Sequence, residues 1–208
     1  SDAEMAEESR RLCWLKDALD GDYPFELLDP AALRKRLPGV GAQVVGACYS
    51  PLDGHVNPLK LLRALHAACH QRGVKMLNGR RVSGIAQRGE GFELACGDQR
   101  WHSERLVLTA GLGNRELGAL LGQPVPVQPN RGQILVTERL EPFLHYPTST
   151  VRQTDEGTVQ LGDSAESVGF DDGTSSAVMA DIAGRAVRCF PRLANVRLVR
   201  AWGALRVL

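Results

Sequence analysis

The chain lacks a net charge, a long apolar run, a paired-cysteine motif and a metal-ligand cluster, and each absence removes a class of function. Its 25 basic and 24 acidic side chains nearly cancel over 208 residues, so no global field points to nucleic acid or an anionic membrane. The apolar runs are far too short to span a bilayer. The start, Ser1-Asp2-Ala3-Glu4, is acidic where a signal peptide is basic and then apolar. A cytoplasmic protein with no membrane span and no nucleic-acid partner is expected. Cys13, Cys48, Cys69, Cys96 and Cys189 form no Cys-x-x-Cys pair. An odd, scattered set argues for reduced thiols, and their apolar neighbours predict small core hydrophobes. His66 and His70 stand four apart without a following Glu or a third ligand, so a solvated helix face is expected and no metal. There are no internal repeats and no low-complexity linker.

What is present is enough apolar residue, 43% of the chain, for one large domain or two small ones. Residues 4–19 read as a helix with Met5, Leu12, Leu15 and Leu19 on one face. Asp29-Pro30 is a helix start, with Asp as N-cap and Pro at the first position, and Pro38-Gly39 a stop. Residues 43–49 read as a strand. The strongest helix opens at Asn57-Pro58, carries Leu61, Leu62, Leu65, Ala68 and Cys69 on one stripe, and closes at Gly73. The period then changes to that of strands, over 74–77, 81–87, 91–95 and 105–109, with hairpin turns at Gly89-Glu90-Gly91 and Gly97-Asp98. Further strands are expected over 131–137, 151–154 and 159–162, then a helix over 174–190. A closing strand over 196–207 is expected to be interrupted at Gly203. Strands and helices so mixed give an α/β class with α+β character.

One segment suggests chemistry. The run Leu106-Val107-Leu108 ends on Thr109-Ala110-Gly111-Leu112-Gly113 and opens a helix-like segment from Asn114. An apolar strand breaking onto glycines at a helix N-terminus lets a ligand approach the backbone.

That segment is one of six that fall in the order and spacing of FAD-dependent amine and amino-acid oxidoreductases. The others are Asp53-Gly54-His55-Val56-Asn57-Pro58, Arg81-Val82-Ser83-Gly84-Ile85, Asn130-Arg131-Gly132-Gln133, Asp155 to Gly162, and Ala201-Trp202-Gly203-Ala204-Leu205-Arg206. In this the chain resembles the D-amino-acid oxidase class, around glycine oxidase and sarcosine oxidase, over nearly its whole length. The resemblance implies that Val82 pairs through its backbone with the adenine of FAD, and that Thr109, Ala110 and Gly111 run past the adenosine–pyrophosphate part. It implies that Arg206 grips a substrate carboxylate, as a permanently charged, bidentate guanidinium suits. Tyr146 and Arg152 fall where they would help to line the substrate pocket. Arg131 reads as structural. The substrate is expected to be a small amino acid or amine, with an electron acceptor or second subunit as a further partner. Hydride transfer to the flavin needs no protein base, and no catalytic side chain is assigned.

The chain departs from the family pattern in having no Gly-x-Gly-x-x-Gly fingerprint: the third glycine after Gly111 and Gly113 would fall at Glu116. The expectation is therefore a mixed-sheet substrate-binding domain with flanking helices over residues 1–53 and 123–208, and a partial FAD-binding domain over 54–122. FAD is expected in the complete protein and weak or absent binding in this stretch alone. Two readings stay open beside a fragment of an oxidase: a reduced, non-catalytic relative serving as a binding or assembly module, and a tRNA-modifying amine oxidase relative.

Overall fold

The computed structural model describes all 208 residues. In chain order its elements are α1 (Asp2–Ala18), β1 (Glu26–Leu28), α2 (Pro30–Arg36), β2 (Ala47–Tyr49), α3 (Pro58–Gln71), β3 (Gly84–Arg88), β4 (Gly91–Cys96), β5 (Gln99–Ser103), α4 (Asn114–Leu120), β6 (Pro129–Arg139), β7 (Val151–Gln153), β8 (Thr158–Leu161), α5 (Ser176–Cys189) and β9 (Leu198–Val207). The strands form sheets of order β1-β2, β3-β4-β5 and β7-β8-β6-β9. Helices and sheets mix as the α/β class requires. The chain divides into two compact units: Ser1–Asn57 with Gly132–Ser164 and Gly173–Gly203, and Pro58–Arg131 with Ala165–Asp172 and Ala204–Leu208.

The first unit contains the hydrophobic core. Leu28 and Leu33 meet Leu135, Val151, Val159 and Leu161 of the sheet, and Ile182, Ala186 and Phe190 close the cluster from α5 and its end. Full burial of such side chains contributes about 1.5–3 kcal/mol each. Local signals set the elements. Asp29 Oδ1 accepts from the Ala31 and Ala32 N–H groups at 2.9 and 2.8 Å, the cap that its position before Pro30 predicts. The turn from β7 to β8 passes Gly157 at φ 93°, where a Cβ would come within 2.8 Å of the Leu140 carbonyl. At Gly41 a Cβ would lie 2.0 Å from the Arg188 carbonyl, so the chain approaches α5 more closely than any side chain permits.

The second unit is built on the antiparallel meander β3-β4-β5, turned at Gly89 and Gly97 with φ 59° and 60°. Both hairpin turns stand where the sequence places them. Helix α3 ends as read, with Gly73 at φ 73° and the Val74 N–H reaching the Cys69 carbonyl at 3.0 Å.

Several expectations are corrected. Residues 74–77 and 105–109 form no ladder, and β5 appears where no strand is expected. A strand exists only where a neighbour accepts its hydrogen bonds, and the meander supplies one for residues 99–103 but not for the other two. The ladder of β3 starts at Gly84, leaving Arg81 to Ser83 outside it, and β2 is confined to its last three residues. Gly203 does not interrupt β9. The cysteines are free and none is fully buried: Cys13 is exposed, and of the four half-buried ones Cys189 packs against the core. Their apolar neighbours on α1 and α3 are themselves mostly uncovered, so neighbour composition misleads there. In α1 only Leu12 is buried, and Leu19 of the expected stripe is exposed.

Candidate functional site

In the second unit, Val82, Thr109 and Ala110 converge on one recess of about 210 Å³, whose other walls include Ile85, Leu94, Leu106, Leu108 and Leu117. Ile85 and Leu94 are cross-strand partners of β3 and β4, so the meander forms an apolar wall. Asn114 ties down the lining segment that ends at Ala110. Its Oδ1 accepts from the Ala110 N–H at 2.8 Å and its Nδ2 donates to the Leu108 carbonyl at 3.4 Å. Gly111 does not line the recess but follows it directly at φ 58°, a left-handed conformation that opens the 3₁₀ turn Gly111–Gly113 leading into α4.

Val82 stands just outside the ladder, and neither its N–H nor its carbonyl takes part in a hydrogen bond within the chain. An unengaged backbone donor and acceptor at the edge of an apolar recess is a ready partner for a heteroaromatic base. Next to it Arg81 Nη2 meets Glu116 Oε2 at 3.2 Å, both well exposed, an ion pair of small energetic weight.

The same unit places Arg206 on β9, where its Nη1 donates to Asn130 Oδ1 at 3.2 Å. Asn130 is buried. Arg131 is buried as well, its Nη2 on Glu166 Oε2 at 2.7 Å and its Nη1 on Asp171 Oδ2 at 2.5 Å. Two carboxylates satisfy its charge, which makes it the structural arginine the sequence suggests.

In the first unit, Tyr146 is 41% exposed and sits edge-on to Tyr49, with ring centroids 6.0 Å apart. Arg36 covers the Tyr49 ring at 4.3 Å. Arg152 lies on β7, its Nε donating to Gln160 Oε1 at 2.8 Å and its Nη1 to the Val56 carbonyl at 3.3 Å.

The model of a family described as FAD dependent oxidoreductase matches residues 2–208. The chain belongs to this family. It is 38% identical to an opine oxidase subunit of Rhizobium meliloti over 183 residues, covering 88% of this chain and 49% of that protein. It is 33% identical to the HcnC subunit of hydrogen cyanide synthase from Pseudomonas aeruginosa, covering 86% and 45%. Among solved structures, glycine oxidase from Geobacillus kaustophilus superposes with a TM-score of 0.87 at 20% identity, covering all of this chain and 56% of that one. L-proline dehydrogenase from P. horikoshii gives 0.86 at 17%, covering 99% and 57%. The chain thus spans about half the length of the relatives it matches. The family is FAD dependent, and no helix of this chain is long and apolar enough to cross a membrane.

The recess fits part of that cofactor: it has apolar walls for a planar ring and a free backbone donor and acceptor at Val82. Asn130 and Gln160, which hold the two arginines, have no place among the sequence-derived site residues. The signal for Gln160 was nevertheless present. Counting outward from the Asp155-Glu156-Gly157 turn sets position 160 opposite Arg152.

Proposed function

We propose that this chain is part of a flavoprotein that oxidises a small amino acid or secondary amine, and that its second unit contributes the adenosine side of the FAD site. The observation that supports this reading is the convergence of Val82, Thr109 and Ala110 on one recess, in a chain of an FAD-dependent family. FAD, when bound, would supply the hydride acceptor for oxidation of the amine carbon. Val82 presents its backbone N–H and carbonyl to the adenine. Thr109, Ala110 and Gly111 let the adenosine–pyrophosphate part pass close to the backbone. Arg206, steadied by Asn130, binds the substrate carboxylate as a charge-assisted pair. Tyr146 and Arg152 are the first unit's proposed substrate-lining residues.

The recess is smaller than the roughly 300–1,000 Å³ of ordinary ligand pockets. Residues 1–208 alone therefore bind FAD weakly or not at all, and the remaining contacts come from parts of the family fold that this chain does not match. The opine oxidase and hydrogen cyanide synthase relatives are both named as subunits, which supports a second subunit or electron-accepting partner here too.

The test is the visible spectrum of the full-length protein and of its Ala110→Leu variant. A flavin spectrum in the parent, with FAD affinity lowered at least about tenfold by Ala110→Leu and far-ultraviolet circular dichroism unchanged, is the expected result. Ala110 is exposed, so the substitution fills the recess without disturbing a core. A colourless full-length protein that takes up no added FAD favours the non-catalytic module instead. Undiminished FAD affinity in the variant removes the recess from the site.

A further inference from the structure

Two segments that line the recess of the second unit leave a backbone donor and acceptor unengaged, and in each the neighbouring peptide is tied down. Ser83 donates its N–H to the Ala95 carbonyl at 2.8 Å. The Val82 carbonyl, anti to that N–H across a trans peptide, is therefore turned away from β4. The Thr109 N–H and carbonyl likewise take part in no hydrogen bond within the chain. There a single side chain holds both flanking peptides. Asn114 Oδ1 accepts from the Ala110 N–H at 2.8 Å, and its Nδ2 donates to the Leu108 carbonyl at 3.4 Å. Both peptides are trans. The Thr109 N–H thus lies anti to the Leu108 carbonyl, and the Thr109 carbonyl anti to the Ala110 N–H. One amide turns both polar groups of Thr109 away from itself and leaves them unspent.

That amide does not serve its own helix. An asparagine that caps a helix accepts from an N–H two or three residues ahead. Both bonds of Asn114 run backward instead, over four and six residues. Its side chain supplies an acceptor and a donor from one rigid plane. An aspartate of nearly the same shape would keep the acceptor and lose the donor. An alanine would lose both.

We propose that Asn114 is a positioning residue of the recess. It holds the Thr109 N–H and carbonyl ready for polar atoms of an adenosine moiety, as a second backbone pair beside that of Val82. This inference rests on the FAD reading given above and adds the side chain that sets the recess before the ligand arrives. Without the two ties, the cost of ordering residues 108–110 falls on the ligand and weakens its binding.

The test uses the full-length protein, stripped of flavin, with FAD and adenosine 5′-diphosphate as probes. Calorimetric affinities and apoprotein melting temperatures are measured for the parent, Asn114→Ala, Asn114→Asp and Arg115→Ala. Arg115 is exposed on the same helix and serves as the control. Asn114→Ala is expected to weaken both probes about tenfold, the order of one to two hydrogen bonds. Asn114→Asp recovers part of that loss and Arg115→Ala binds like the parent, all at the parental melting temperature. Equal losses in the two Asn114 variants that track a lowered melting temperature mark a merely structural role and overturn the proposal. Parental affinity in both variants overturns it as well, while the FAD reading stands. Should Asn114→Ala fail to fold, Asn114→Asp decides alone: weaker binding at the parental melting temperature supports the proposal, and parental binding overturns it. A parent that binds neither probe overturns the FAD reading and this inference with it.

Discussion

Helices α3 and α5 are each fourteen residues long and carry comparable apolar stripes, yet they end in opposite states. In the first unit α5 buries Ile182 and Ala186 against the sheet. In the second unit α3 buries nothing, and Leu61, Leu62 and Leu65 remain exposed. Val74, Met76, Leu77 and Val107 of the same unit are exposed as well. An amphipathic stripe states which face of a helix seeks cover; it does not say whether the cover lies in the same stretch of chain. The chain matches about half of its relatives' length, and the unit with the candidate cofactor recess is the one with uncovered apolar surface.

The comparison can be broken most decisively by core truncation. Phe190→Ala in the first unit is expected to cost about 3–5 kcal/mol in denaturant unfolding, whereas Leu62→Ala on α3 should stay within about 0.5 kcal/mol. Equal losses would mean that α3 is packed after all. Next in size is Gly41→Ala, which drives a Cβ into the Arg188 carbonyl and should destabilise by about 1–3 kcal/mol; an unchanged midpoint would show that the loop yields freely. Amide hydrogen exchange should sharpen the contrast without mutation. Amides in α5 are expected to exchange at least about tenfold more slowly than those in α3, because local opening is cheapest where few apolar contacts are lost.

Acid dependence is a smaller effect and belongs to the first unit. Hydrogen bonds from Arg197 hold the Glu138 carboxyl below its ordinary range, and Arg11 does the same for Glu8. A carboxyl lowered by folding adds stability above its unfolded value, and that stability is lost as pH falls through the depressed folded value. Melting temperature should therefore decline from about pH 5 downward, and Glu138→Gln should flatten that decline. A variant that loses stability with acid as steeply as the parent would show the pair to be idle. The smallest expected difference is in thiol labelling. Cys13 is exposed and should react first with a thiol-specific reagent. Burial pushes the Cys48 and Cys189 thiols up and slows them.

Legibility followed the range of the forces involved. The Asp29 cap, the glycine hairpin turns and the C-terminal end of α3 depend on a few neighbouring residues, and each stands where the sequence puts it. The strands expected over 74–77 and 105–109 depend on partners elsewhere and did not form. The recess shows the same division. Gly111 announces its turn locally, but the ties from Asn114 to Ala110 and Leu108 and the wall from β3 and β4 appear only once the chain is folded.

By itself, then, the sequence determined the family, the main helices and the hairpin turns. Backbone conformation and residue chemistry are properties of short stretches, and they are written there. Only the tertiary structure decided which apolar faces are covered, and that Val82, Thr109 and Ala110 share one recess. It alone decided that Arg131 is paired with two carboxylates while Arg152 is held by the Gln160 amide and the Val56 carbonyl. Those outcomes depend on contacts between residues far apart in the chain, where register and packing choose the neighbour.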